Sequence, residues 1–167
     1  MKRILWATLT GNGNYAQSRP NNPPKKEALN DFAAHAQAAG NIIVGRRTFE
    51  GMQGGGGSFA GMDVVVVSAS VKEIPGVTVV GSPHEALSYL LDKGYETALI
   101  SGGANLHNAF LGQGLVDELI FNVAPVLEGK GLNLLIDTEK YQYKEVELLN
   151  FKSLGSGVVQ VHYAIGH

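Results

Sequence analysis

The residues best able to do chemistry fall in short glycine-containing segments. In Val44-Gly45-Arg46-Arg47-Thr48 an apolar run ends in glycine and is followed by two arginines and a hydroxyl. If a helix begins there, both arginines sit in its first turn, where cations oppose the helix dipole. A bound anion offsets that cost, and the planar guanidinium fork suits phosphate. Two adjacent arginines suit a pyrophosphate plus a further 2′-phosphate, and so NADPH over NADH. The other reading is a surface helix bearing two solvated arginines, and the residues alone do not choose. Ile100-Ser101-Gly102-Gly103-Ala104-Asn105 is a second strand-to-helix turn of small residues. There, free backbone N–H groups can face a phosphate, or the glycines can simply make a tight connection. Ser68, at the end of the valine run from Asp63, belongs to the same sheet edge, where α/β proteins bind ligands.

A third segment, Gly11-Asn12-Gly13-Asn14-Tyr15-Ala16, matches the spacing of the dinucleotide fingerprint. That fingerprint needs a helix to start at its glycines, and Pro20, Pro23 and Pro24 forbid one here. An Asn-Gly turn in a long loop, or a lid beside a site, is the better expectation. Further along, Glu27 and Asp31 lie one helical turn apart on one face. They are candidate proton donors or ordinary solvated charges, and Phe32 beside them faces either a pocket or the core. The histidines (35, 84, 107, 162 and 167) show no metal-ligand spacing, so no metal is expected. Asp117 and Glu118 are adjacent in a predicted strand and point to opposite faces, which argues against a shared acid–base role.

The elements that position these residues alternate. Lys2–Leu9 reads as a buried strand and Lys25–Ala39 as an Ala-rich helix, with Asn22 as its cap, Pro23 at its first position and Gly40 as its stop. Asn41–Val44 reads as a strand and Arg46–Gln53 as a short helix running into Gly54–Gly57. Asp63–Ser68 and Val77–Val80 are strands. Ser82-Pro83-His84-Glu85 has capping-box spacing and opens a helix to about Lys93. Thr97–Ile100 is a strand, Gly102-Gly103 opens a helix to about Leu111, and Val116–Val123 is a strand. Lys144–Asn150 and Val158–Ile165 form a last pair joined by Leu154-Gly155-Ser156-Gly157. The pattern predicts one α/β domain over residues 1–167, with a mostly parallel sheet and an antiparallel C-terminal hairpin.

Bulk properties narrow the function classes. The 167 residues include no Cys, which removes disulfides, thiolate catalysis and Cys metal sites. A net charge of −2 offers no basic excess for a nucleic-acid backbone. No apolar run is long enough to span a bilayer, and the N-terminus lacks signal-peptide features. A cytoplasmic protein with no membrane or nucleic-acid partner is expected.

Val44 through Met52 resembles the Gly-Arg-x-Thr-aromatic-Glu signature of dihydrofolate reductases. Ser101-Gly102-Gly103-Ala104, Leu115-Val116-Asp117-Glu118-Leu119 and Ala124-Pro125-Val126-Leu127-Glu128-Gly129-Lys130-Gly131 together resemble a narrower group. This is the reductase domain that forms the C-terminal half of the riboflavin-biosynthesis deaminase–reductase. With neither Cys nor a His-x-Glu zinc site in these residues, no deaminase half is expected among them. The resemblance covers nearly the whole chain. It implies a three-layer dihydrofolate reductase-like fold, an eight-stranded mixed sheet with helices on both faces, and a homodimer.

It also implies NADPH across the strand ends. Gly45, Arg46, Arg47 and Thr48 would hold phosphates, with Ser68 near the adenosine. Gly102, Gly103, Ala104, Asn105 and Leu106 would meet the pyrophosphate and nicotinamide side, with Ala7 and Thr8 at the nicotinamide. The family's Ser-Leu-Asp-Gly after the first strand is Thr8-Leu9-Thr10-Gly11 here, so its aspartate is missing where the substrate pocket is shaped.

The implied chemistry is hydride transfer to a C=N or C=O carbon, with a proton from Glu27, Asp31, a Thr8 relay or water. The leading expectation is a 5-amino-6-(5-phosphoribosylamino)uracil reductase-type activity in riboflavin biosynthesis. A dihydrofolate, pterin or other small-molecule reductase is the alternative. A nucleotide-binding module without turnover is the alternative from another class.

Overall fold

The computed structural model describes residues 1–16, 22–53, 59–130 and 143–166. The strands are β1 (Lys2–Leu9), β2 (Asn41–Gly45), β3 (Asp63–Val67), β4 (Thr78–Val80), β5 (Thr97–Gly102), β6 (Glu118–Val123), β7 (Val146–Gly155) and β8 (Val158–Ile165). The helices are α1 (Lys26–Ala39), α2 (Arg46–Gln53), α3 (Pro83–Asp92) and α4 (Ala104–Gly112). One eight-stranded sheet runs β4-β3-β2-β5-β1-β6-β8-β7. It is parallel from β4 to β6, and β8 lies antiparallel between β6 and β7.

Alternation along β1 divides the core. Leu5 and Ala7 join Leu87 and Leu90 of α3 and Leu106 and Phe110 of α4 on one face. Trp6 joins Ala28, Phe32 and Ala36 of α1 on the other, with Phe49 and Met52 of α2 packed beside them. The valines of β3 split in the same way, Val65 to the first face and Val66 to the second. Each is fully buried and contributes roughly 1.5–3 kcal/mol. This is the three-layer arrangement expected.

Three local expectations resolve differently. Asn22 does not cap α1: the helix starts at Lys26, and extended Lys25 takes the cap position without a side-chain bond. Pro24 disfavours helical geometry at Pro23, so the chain stays extended past both prolines. Gly40 does end the helix, at φ 77°, its N–H donating to Ala36 O. At α3, Ser82 Oγ accepts from Glu85 N as the spacing implies, a bond worth about 1 kcal/mol. The return bond is shifted by one residue, Glu85 Oε2 accepting from Gly81 N at 2.7 Å. The first C-terminal strand, expected over Lys144–Asn150, runs instead over Val146–Gly155, whereas β8 keeps the expected bounds, and β7 turns into β8 through Ser156-Gly157 alone. The glycine run at 54–57, the proline-containing stretch 17–21, Gly131 and His167 lie outside the described residues.

The order places β5 between β2 and β1. From β1 the chain leaves over one face through α1, and from neighbouring β5 over the other through α4. Adjacent parallel strands whose crossovers diverge leave a crevice at their C-terminal ends.

Candidate active site

Two cavities open along that crevice. The first, of about 490 Å³, is lined by Gly45, Arg46, Arg47 and Thr48 after β2, by Gly103 to Leu106 after β5, and by Val67, Pro83 and Ala109. The second, of about 570 Å³, is walled by Trp6, Ala7, Thr8, Tyr15, Phe32 and Met52 among others. Arg47, Thr48, Gly103 and Ala104 line both. The two cavities therefore share a wall made from two turns far apart in the chain.

The shared wall is tight. Gly102, expected at the cofactor, is buried and lines neither cavity; it has φ 127°, a left-handed value that favours glycine, and a cis peptide joins it to the wall residue Gly103. A Cβ on Gly102 would stand 2.9 Å from the Tyr15 hydroxyl. Gly103 caps α4 without a side-chain hydrogen bond, so the first N–H groups of that helix face the cavity with no side chain in the way. The first turn of α2 contains no acidic residue to balance its arginines. Arg46 meets Glu50 only at 3.9 Å across one helical turn, and Arg47 is exposed. Cations unbalanced by acidic residues at one helix N-terminus thus lie beside a second open helix N-terminus, an arrangement whose partial and full charges are positive.

Ser68 lies at the same sheet edge, beside the cavity-lining Val67. Its Oγ is occupied locally, accepting from Val71 N at 3.1 Å and Ser70 N at 3.4 Å. Neither Glu27 nor Asp31 lines either cavity. Glu27 is held at the hairpin by Ser156, a bond that lowers its pKa. Asp31 Oδ2 accepts from Trp6 Nε1 at 2.8 Å and Gln160 Nε2 at 2.7 Å. Burial pushes the Asp31 pKa up, but the bonds from His35, Trp6 and Gln160 outweigh it and leave the pKa below the ordinary value. That is the reverse of what a proton donor at neutral pH needs. Thr8 does line the second cavity.

Thr10, which stands where the resembled family has aspartate, is buried and faces its own loop. Its hydroxyl donates to Asn12 Oδ1 at 2.7 Å and accepts from Asn14 N at 3.0 Å. The amides of Asn12 and Asn14 in turn donate to Glu128 O at 2.8 and 2.6 Å. The loop is clipped to the segment after β6, and no helix begins at Gly11–Ala16. Asp117 binds Arg3, whereas Glu118 binds Lys2 and His162, so the two acids act separately. Among the described residues no group of His, Asp or Glu is placed to hold a metal. No helix among them is long and apolar enough to cross a membrane.

Sequence reasoning did not reach Trp6, Tyr15 or Met52 as lining residues. Tyr15 reaches the cavity because an isolated bridge pairs it with Leu9, and it packs edge-on against buried His107 at 5.7 Å. Burial pushes the Tyr15 phenol up to about 12, so it stays protonated and able to donate.

A family model described as the RibD C-terminal domain matches residues 7–160. The chain belongs to that family. The RibD C-terminal domain is a reductase domain. Over 62 residues this RibD-type chain is 40% identical to the uncharacterized protein YyaP of Bacillus subtilis, covering 37% of the chain and 32% of that protein. Over 72 residues it is 39% identical to the riboflavin biosynthesis protein RibD of Bacillus amyloliquefaciens, covering 42% and 19% respectively. The matches thus span a third or less of the curated relatives. In fold, the chain is similar to a putative riboflavin biosynthesis protein from Shewanella sp. PV-4, with TM-score 0.78, 20% identity and full coverage of both chains. It is similar also to a pyrimidine reductase-like protein from Corynebacterium diphtheriae, with TM-score 0.78, 16% identity and coverage of 99% and 92%.

Proposed function

We propose that this chain is an NADPH-dependent reductase, with the cofactor along the first cavity and a small C=N or C=O substrate in the second. The observation that carries this reading is the shared wall at Arg47, Thr48, Gly103 and Ala104. A dinucleotide whose phosphates lie in the first cavity has its other end at the mouth of the second. Arg46, Arg47 and Thr48 bind phosphate oxygens, and the N–H groups opening α4 take the pyrophosphate. The side-chain-free backbone at Gly45 and Gly103 admits a flat group close to the sheet edge. When bound, NADPH supplies the hydride. The chain's own work is to orient the reactants, exclude water with Trp6, Phe32 and Met52, and offer the Thr8 and Tyr15 hydroxyls for hydrogen bonding.

For the substrate, the relatives' names, a riboflavin biosynthesis protein and a pyrimidine reductase-like protein, favour a pyrimidine of the riboflavin route. A second reading, a flat heterocycle without phosphate such as a pterin, is favoured by the lining. Among the described residues around the second cavity, Arg47 is the one charged side chain, and it also serves the first cavity. NADPH oxidation followed at 340 nm with 5-amino-6-(5-phosphoribosylamino)uracil and with dihydrofolate separates the readings. Tight NADPH binding without turnover of either would leave a nucleotide-binding module. Absence of NADPH binding would overturn the proposal.

A homodimer in the cytoplasm completes the reading. The β7 edge is exposed along its length and carries Leu148, Leu149 and Phe151, the last 69% exposed. An open strand edge bearing large apolar side chains is stabilised by covering it, and a second copy of the chain does so.

A further inference from the structure

The Asp31 carboxylate is turned away from the cavity and into the protein, where a single oxygen ties several elements together. Oδ2 accepts the indole N–H of Trp6 from β1 at 2.8 Å and the amide of Gln160 from β8 at 2.7 Å. The same Gln160 amide nitrogen donates to Asn122 Oδ1 of β6 at 2.9 Å. His35, one turn along α1, approaches Oδ2 at 3.4 Å. Asn122 is fully buried, Gln160 is 5% exposed, and the Asn122 Nδ2 is without a partner among the described residues. Burying this much polarity is costly, and apolar side chains would fill the same space at less expense. The network is better explained by what it holds than by stability.

What it holds is Trp6. The indole is largely buried, and its remaining surface forms part of the wall of the second cavity. Phe32, the next residue after Asp31, lines the same cavity, with its ring centroid 5.1 Å from that of Trp6 and the planes inclined at 51°. Phe32 in turn meets Phe59 edge-on at 6.3 Å. Packing alone constrains a flat ring to a slot but distinguishes poorly between its two faces. A hydrogen bond to the single N–H selects one orientation. Consecutive residues of α1 thus fix Trp6 twice, Asp31 by its N–H edge and Phe32 through the tilted ring contact.

We propose that Asp31 is a positioning residue that acts through Trp6, locking the indole as a rigid wall against which a flat substrate ring packs, and is not the proton donor. This rests on the reading that the second cavity holds the substrate. It assigns a role to the whole Asp31–Gln160–Asn122 chain, which ties the wall to the antiparallel end of the sheet. It also leaves proton delivery to the groups that do line the cavity, the Thr8 and Tyr15 hydroxyls, or to water.

Substitutions in the full chain separate the roles. Asp31→Asn keeps an oxygen for the indole N–H but cannot cycle a proton, Asp31→Leu removes both, and Trp6→Phe keeps an aromatic ring without the N–H. Trp6 is the single tryptophan of the sequence, so emission maximum and acrylamide quenching report its surroundings directly. Asp31→Asn is expected to retain the wild-type emission and a kcat within about threefold of wild type. Asp31→Leu is expected to shift emission to the red and raise the KM for 5-amino-6-(5-phosphoribosylamino)uracil or dihydrofolate about tenfold, with a smaller effect on kcat. In the Trp6→Phe background, Asp31→Leu should add little further loss, because both act through one contact. A fall in kcat of about a hundredfold or more in Asp31→Asn, with emission and NADPH affinity unchanged, would make Asp31 the acid and overturn the inference. Identical emission in Asp31→Leu and wild type would overturn it as well, with no substrate needed. If calorimetry shows no NADPH binding to the wild type, the functional reading falls, while the emission comparison still decides whether Asp31 positions Trp6.

Discussion

The Thr48 hydroxyl oxygen stands 2.9 Å from where a Cβ on Gly103 would lie, so the turn after β2 and the turn after β5 touch where the two cavities meet. Gly103 has φ −91° and ψ −156°, which any residue can adopt. The demand for glycine here is therefore one of space. Gly103→Ala is expected to lower stability by about 1–3 kcal/mol through overpacking. Adding Thr48→Ala should return part of that loss. Urea unfolding of both single variants and the double variant measures the coupling, and additive losses would show that the contact is not what excludes a side chain.

The arginines differ in reach, because Arg46 lines the first cavity and Arg47 lines both. Arg46→Ala should weaken NADPH binding by roughly 1.5–3 kcal/mol, about ten- to a hundredfold, and leave the substrate KM unchanged. Arg47→Ala should weaken NADPH binding comparably and raise the substrate KM too. One of the two should spare NADH, marking the contact to the 2′-phosphate. Calorimetric titration with both cofactors checks this, and unchanged NADPH affinity in both variants would remove the phosphate clamp.

His107 is fully buried on α4, with Nε2 3.1 Å from Ile100 O and Nδ1 without a partner among the described residues. Burial pushes its pKa down from 6.5 to about 4, against the smaller opposing effect of the bond to Ile100. The folded value is depressed, so the unfolded chain takes up this proton first on acidification. The associated stability is complete above about pH 6.5, falls as the pH drops toward 4, and levels off below. A shift of this size corresponds to roughly 3 kcal/mol. The stability difference between wild type and His107→Gln, measured by urea unfolding from pH 7.5 to 4, should shrink across that window. A pH-independent difference would mean that the imidazole is not held neutral.

If β7 is a dimer edge, a charge on its most exposed aromatic residue should block association. Phe151→Glu is expected to halve the mass seen by light scattering, to the 17.7 kDa of one chain. A monomeric wild type would remove the dimer reading without touching the site.

Much of this protein is legible before folding is considered, and the legible parts are local. The alternation of β1, the valines of β3, the Ser82 cap and the two strand-glycine-helix turns depend on neighbours within a few residues, so periodicity and turn chemistry report them. That Val44–Thr48 and Ser101–Leu106 are strand-to-helix turns was readable for that reason, and both turns line the first cavity. The Asn22 cap failed locally as well, because the extended preference imposed by the two prolines outweighs a capping side chain.

What tertiary structure alone decided is which distant pieces meet. Insertion of β5 between β2 and β1 puts Gly103 against Thr48, and the turn at Asn12-Gly13 carries Tyr15 back to Gly102. Asp31 and Glu27 looked equivalent in sequence, one turn apart on one helix face. In the fold, one carboxylate is bound by an indole from β1 and an amide from β8, and the other by a hairpin serine. Helical spacing specifies the direction a side chain leaves its own axis. The partner waiting there is set by long-range strand order, and on that partner depends whether a carboxylate gives up a proton or holds a wall in place.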